Sequence, residues 1–81
     1  MITASQLRAA RALLGIDQRE LAKKAGLSLP TIQRMEASRD LIRGNVESLT
    51  KLVAALTAYG VELIGEDVPS QGKGRGVRLL F

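Results

Sequence analysis

The stretch Gln18-Arg19-Glu20-Leu21-Ala22-Lys23-Lys24-Ala25-Gly26-Leu27-Ser28-Leu29-Pro30-Thr31-Ile32-Gln33-Arg34-Met35-Glu36 decides how this chain folds. Asp17 and Glu20, three apart, read as a D-x-x-E capping box that opens a helix running to Ala25, with Leu21, Ala22 and Ala25 on one face. Glu20 and Lys24 are spaced as an i,i+4 pair on the other face. Gly26 supplies the left-handed backbone that a tight turn between helices requires. Ser28 then caps a second short helix, and Pro30 falls in its first turn, where a missing N–H costs nothing. Ala22 is small where two helices joined so tightly must cross closely, and Ile32 locks the second of them into a core.

Projected at about 100° per residue, that second helix divides into an inner arc centred on Ile32 and Met35 and an outer arc of Leu29, Pro30, Gln33, Arg34 and Ala37. Glu36 lies at the edge of the inner arc. Upstream, Thr3-Ala4-Ser5-Gln6 is a T-x-x-Q capping box for a helix that should end at Gly15. Leu7, Ala10 and Leu14 share one arc of it with Arg11, while Arg8, Ala9 and Ala12 face away. A guanidinium turned toward the core needs a carboxylate, and Glu36 is the natural partner for Arg11.

Downstream, Ser38 to Asn45 form a polar, basic loop, and Val46, Leu49, Leu52, Val53, Leu56 and Tyr59 make the apolar stripe of a further helix ending at Gly60. Val61-Glu62-Leu63-Ile64 and Val77-Arg78-Leu79-Leu80-Phe81 are β-like runs flanking a Gly/Pro/Ser-rich stretch, so a hairpin or paired strands are expected. A lone two-stranded hairpin is marginal in water, which predicts strands that extend across a dimer interface or pack on the preceding helix. The expected fold is mainly α: a compact bundle of four to five short helices over residues 1–60, followed by a β extension at 61–81 that serves dimerisation.

Composition narrows the function. Eighty-one residues support one domain with a small core, and oligomerisation is the natural source of further buried surface. Cysteine and histidine are both absent, which removes disulfides, thiol nucleophiles, Cys/His zinc sites and the Ser/His/Asp and Cys/His catalytic arrangements. No residue set converges on a reaction, so we expect no enzyme, no metal site and no cofactor. The net charge of +4 resides entirely in residues 1 to 45, where eight Lys and Arg face four Asp and Glu; the remaining residues balance. Two aromatics, Tyr59 and Phe81, are too few for a stacking platform on single strands or RNA loops. Duplex DNA or an acidic protein remains as partner. With no apolar run near the roughly 18 residues of a membrane span and no secretory apolar core in residues 1 to 16, a cytoplasmic protein that does not enter membranes is expected.

The pattern Q-x-x-L-A-x-x-x-G-x-S-x-x-T-I-x-x-x-E from Gln18 to Glu36 looks like a helix-turn-helix, and it resembles the Cro/phage-repressor (XRE-type) regulators over residues 3 to 60. The resemblance implies a cofactor-free regulator of bacterial or phage type, most simply a repressor, that binds double-stranded DNA as a homodimer on a pseudo-palindromic operator. It further implies that Gln18 and Ser28 touch phosphate, that Leu29, Pro30, Gln33 and Arg34 face base edges in the major groove, and that Arg11 and Glu36 form a structural salt bridge. Arg39 and Arg43 are candidate phosphate contacts, with a solvated loop as the competing reading. Leu29 and Pro30 stand where polar readers are frequent and cannot hydrogen-bond a base, so polar readout falls to Gln33 and Arg34. Asp17 would face phosphate beside Gln18, and a fifth helix common in such proteins is replaced by the 61 to 64 run.

One alternative stands beside this. A helix-turn-helix shape also serves protein interaction, most concretely an antitoxin whose 61–81 segment covers a toxin. Gly72-Lys73-Gly74-Arg75-Gly76 reads as a hairpin loop or a basic arm; a P-loop would need Gly at Asp67 and Ser or Thr at Gly74. Glu66 and Asp67, without convergent partners, read as loop solvation.

Overall fold

A computed structural model describes residues 2–81. Four helices follow one another: α1 (Ala4–Leu14), α2 (Gln18–Ala25), α3 (Leu29–Glu36) and α4 (Val46–Ala58). Each begins on a side chain that accepts a backbone N–H three residues on: Thr3 from Gln6, Asp17 from Glu20, Ser28 from Thr31 and Asn45 from Ser48. At α1 the box is reciprocal, because Gln6 Oε1 accepts from Thr3 N at 2.9 Å. At α2 it is not: Glu20 turns instead toward the Tyr59 hydroxyl, which donates to it at 3.5 Å. Lys24 sits 5.6 Å above the same ring, so the expected Glu20–Lys24 pair is replaced by two contacts to Tyr59 of the neighbouring helix.

Three helices end alike. Glycines 15, 26 and 60 take positive φ, and the next residue donates its N–H five residues back: Ile16 to Arg11, Leu27 to Ala22 and Val61 to Leu56. This turn aims an apolar residue at the core, where Ile16, Leu27 and Val61 all pack. The core itself is closed by Leu7 from α1, Leu21 from α2, Ile32 and Met35 from α3, and Leu52 and Leu56 from α4, all fully buried. At roughly 1.5–3 kcal/mol per large side chain, these six dominate the favourable side of folding. α2 packs on both α3 and α4, and α1 packs on α3. Val46, assigned to the α4 stripe by its apolarity, is 79% exposed, because the first residue of α4 projects away from the bundle.

The β extension expected at 61–81 is absent. Among the described residues the β pairing is a single antiparallel bridge, Thr3 with Leu41, flanked by Ala4 N donating to Asp40 O and Ile42 N to Ile2 O. The run 61–64 is apolar for another reason: Val61 and Leu63 pack on the core and the Ile64 carbonyl accepts from Gln6 Nε2. Donors that a hairpin would use are taken by a side chain, since the Glu62 carboxylate accepts from Gln71 N at 2.8 Å, Gly72 N at 3.0 Å and Ser70 Oγ at 3.0 Å. Those bonds, the Gln71 N–H foremost, together with the Arg78 charge, hold Glu62 below the ordinary carboxylate range. Arg78 folds back onto the Gly65 and Val68 carbonyls, and Val77, Leu79, Leu80 and Phe81 lie exposed.

Candidate nucleic-acid interface

α3 presents its outer arc because its inner arc is fixed at both ends. At the N-terminus, Ser28 Oγ accepts from Thr31 N at 3.2 Å. At the C-terminus, α1 grips Glu36 with two arginines. Arg11 makes a forked contact, Nε to Oε2 at 2.5 Å and Nη2 to Oε1 at 2.8 Å, and Arg8 Nη1 donates to the Glu36 main-chain carbonyl at 2.5 Å. Glu36 is only 5% exposed. Burial pushes its carboxyl upward, but hydrogen bonds from Arg11 and Gln18 and the positive charge of Arg11 and Arg8 outweigh that and hold it below the ordinary range. The same contact raises the Arg11 guanidinium above its already high value. Arg8, read from its arc as facing away from the bundle, thus contributes to the clamp. Its acceptor is a carbonyl 28 residues distant, which helical periodicity cannot reveal.

Pro30, Gln33 and Arg34 are exposed along α3, and Leu29 is half-buried at its start. Gln18, half-buried at the head of α2, leans on Glu36. Beyond α3 the chain bends around a broad basin of about 1070 Å³, lined by Thr31, Arg34, Arg39, Arg43, Asn45 and Ser48 among others. Three arginines therefore face one concavity whose sole acidic lining residue is Asp40. The basin also takes in the first turn of α4, whose free N–H groups favour anions. Sequence reasoning named the arginines but missed Asn45, although N-x-x-S before the α4 stripe carries the capping signal. It also missed Thr31, whose hydroxyl lies 2.8 Å from Ser28 Oγ and accepts from Arg34 Nη2 at 3.3 Å.

A tightly turned helix pair, anchored inward and basic outward, is matched over residues 7–64 by the helix-turn-helix family model. The chain belongs to the Cro/C1-type (XRE) helix-turn-helix family. In this XRE-type chain α2 and α3 form the helix-turn-helix unit, and its function class is DNA-binding transcription regulation. The match stops at Ile64, the last residue that the bundle holds by a hydrogen bond from Gln6. No curated protein and no solved structure matches the chain. No helix among the described residues is long and apolar enough to cross a membrane, and no group of three His, Cys, Asp or Glu is gathered there that could hold a metal ion.

Proposed function

We propose that the protein is a sequence-specific repressor that binds a pseudo-palindromic operator as a homodimer. The observation that carries this reading is the exposed edge of α3 beside a basin lined by Arg34, Arg39 and Arg43. α3 enters the major groove, where Arg34 addresses guanine O6 and N7, Gln33 addresses adenine N6 and N7, and Leu29 and Pro30 offer apolar contact to thymine methyls. Ser28 and Gln18 at the helix heads, with Arg39 and Arg43, hold the phosphates on either side. Two copies of α3 about 34 Å apart read successive major grooves, and occupancy of the site blocks polymerase. Residues 61–81 join the two chains through the apolar side chains of Val77, Leu79, Leu80 and Phe81, whose exposure favours a protein partner.

Selection of bound sequences from a random duplex pool tests this. The wild type should yield a motif of two related half-sites, and Arg34→Ala should lose the preference at one position of each half-site, worth about 1–3 kcal/mol. An unchanged motif would remove Arg34 from the readout. Affinity should fall with salt by about 0.9 log units per log unit for each phosphate contacted. The exposed apolar residues fit a second reading as well, an antitoxin whose 61–81 segment covers a toxin. A monomer in sedimentation at micromolar concentration would favour that reading over the homodimer.

A further inference from the structure

Three hydroxyl-bearing or cationic side chains on successive turns of the α3 face form a chain: Ser28, Thr31 and Arg34. Ser28 Oγ already accepts from Thr31 N at 3.2 Å and lies 2.8 Å from Thr31 Oγ1, which in turn accepts from Arg34 Nη2 at 3.3 Å. We infer that Thr31 is a positioning residue for base recognition, holding the Arg34 guanidinium in its reading orientation through the Ser28–Thr31–Arg34 hydrogen-bond chain. The inference rests on the base-reading role proposed above for Arg34.

The donor inventory shows why the chain has this effect. Arginine carries five N–H donors and no acceptor. Spending one Nη2 hydrogen on Thr31 leaves four, enough for the fork that guanine O6 and N7 require. The threonine oxygen accepts from Arg34 and has one proton of its own, for which Ser28 Oγ at 2.8 Å is a placed acceptor. When Ser28 turns its hydroxyl proton outward to a phosphate oxygen, the Ser28 oxygen is left to accept, and Thr31 supplies the proton along the 2.8 Å contact. The Thr31 oxygen then has its lone pairs free for Arg34. Phosphate contact at Ser28 therefore strengthens the hold on Arg34, so backbone docking and base reading are coupled along the helix. An arginine left free at this exposed position would instead lose rotamer freedom on engaging the base.

Thr31→Val removes the hydroxyl and keeps the shape, while Thr31→Ser keeps the hydroxyl; both leave the Ser28 cap in place. The readout is the ratio of affinities for the selected duplex and for one altered only at the base pair that Arg34→Ala identifies. Thr31→Val should lower that ratio about three- to tenfold, the net worth of one ordinary hydrogen bond, as suits an exposed contact of 3.3 Å. Thr31→Ser should keep it within about twofold, by the same reckoning. In an Arg34→Ala background Thr31→Val should leave the ratio unchanged. Replacing the phosphate facing Ser28 by a neutral methylphosphonate should lower the ratio for the wild type and not for Thr31→Val. Full discrimination by Thr31→Val, an equal loss in Thr31→Ser, or an equal loss without Arg34 would each overturn the inference. A wild type that selects no motif would overturn the base-reading assignment itself, which separates the two failures.

Discussion

Replacing Arg11 by Ala removes the forked partner of the Glu36 carboxylate, which is 95% buried in the intact fold, so the cost is that of a stranded charge and not of one surface ion pair. Because Arg11 itself is 22% exposed, the expected loss is about 2–4 kcal/mol in urea unfolding, toward the lower end of the range for buried pairs. Arg11→Met with Glu36→Leu should recover most of it; a single-variant loss below about 1 kcal/mol would show that water replaces the guanidinium. Glu36 also sets the acid limit. Its folded pKa lies below its unfolded value of about 4.3, so the unfolded chain binds the proton more readily and Glu36 favours the fold at neutral pH. That contribution is complete above the unfolded value and is lost as the pH falls through the folded one. Urea midpoints should hold from pH 7 to about 5.5 and fall steeply below about pH 4, with a shallower fall in Glu36→Gln. At this scale the sequence was readable at the three caps Thr3, Asp17 and Ser28, where a side chain known to cap helices precedes an apolar period. It was unreadable at Arg8, whose partner is a backbone carbonyl and so carries no residue signature.

Helix endings, not helix interiors, aim the chain in this fold. At Gly26 and Gly60 φ is +69° and +91°, and a Cβ at either would meet no atom within 4 Å, so the cost of a side chain there is backbone strain alone. Gly26→Ala and Gly60→Ala should each lower stability by about 1–2 kcal/mol in thermal or urea unfolding, and Gly26→Asn by less. The two should differ in their effects: Gly26→Ala loosens the α2–α3 crossing and weakens DNA binding, whereas Gly60→Ala releases Val61 and leaves DNA binding intact. Equal binding losses would mean that the segment after α4 takes part in DNA contact. The helix boundaries were legible because caps and glycines are local signals. The 61–64 run was misread because its three apolar residues signal burial without saying against what. Here a helix-terminal turn and the Gln6 amide, 58 residues from Ile64, claimed the segment before a strand partner could.

The molecule as a whole divides into a bundle that closes its own core and a segment from Gly65 onward that adds nothing to it. Deleting residues 77–81 should therefore leave the thermal midpoint within about 2 °C when both chains are compared at concentrations where they are monomeric, since a side chain already in water contributes little to folding of the single chain. The same deletion should shift a dimer to monomer in sedimentation and weaken operator binding, because two half-sites held together bind far more tightly than one. A large drop in the midpoint would instead mean that these residues pack on the bundle in solution. Charge is divided in the same way. The basic excess lies in residues 1 to 45, and its three loop and α3 arginines line one basin, while the remainder of the sequence is balanced.

The sequence by itself determined the four helices, the tight α2–α3 turn, the inward and outward arcs of α3 and the demand that Arg11 meet a carboxylate. Each of these follows from interactions that span at most a few residues, or from a periodicity that the order of residues displays directly. Tertiary structure alone decided which arginine would clamp the α3 carbonyl, which would share a basin, and where the Glu62 carboxylate would find its donors. Those outcomes depend on three-dimensional proximity between groups far apart in the chain. A backbone carbonyl, which every residue offers in the same form, or an N–H, which every residue but proline offers, cannot be picked out as a partner until the fold brings it within about 3 Å.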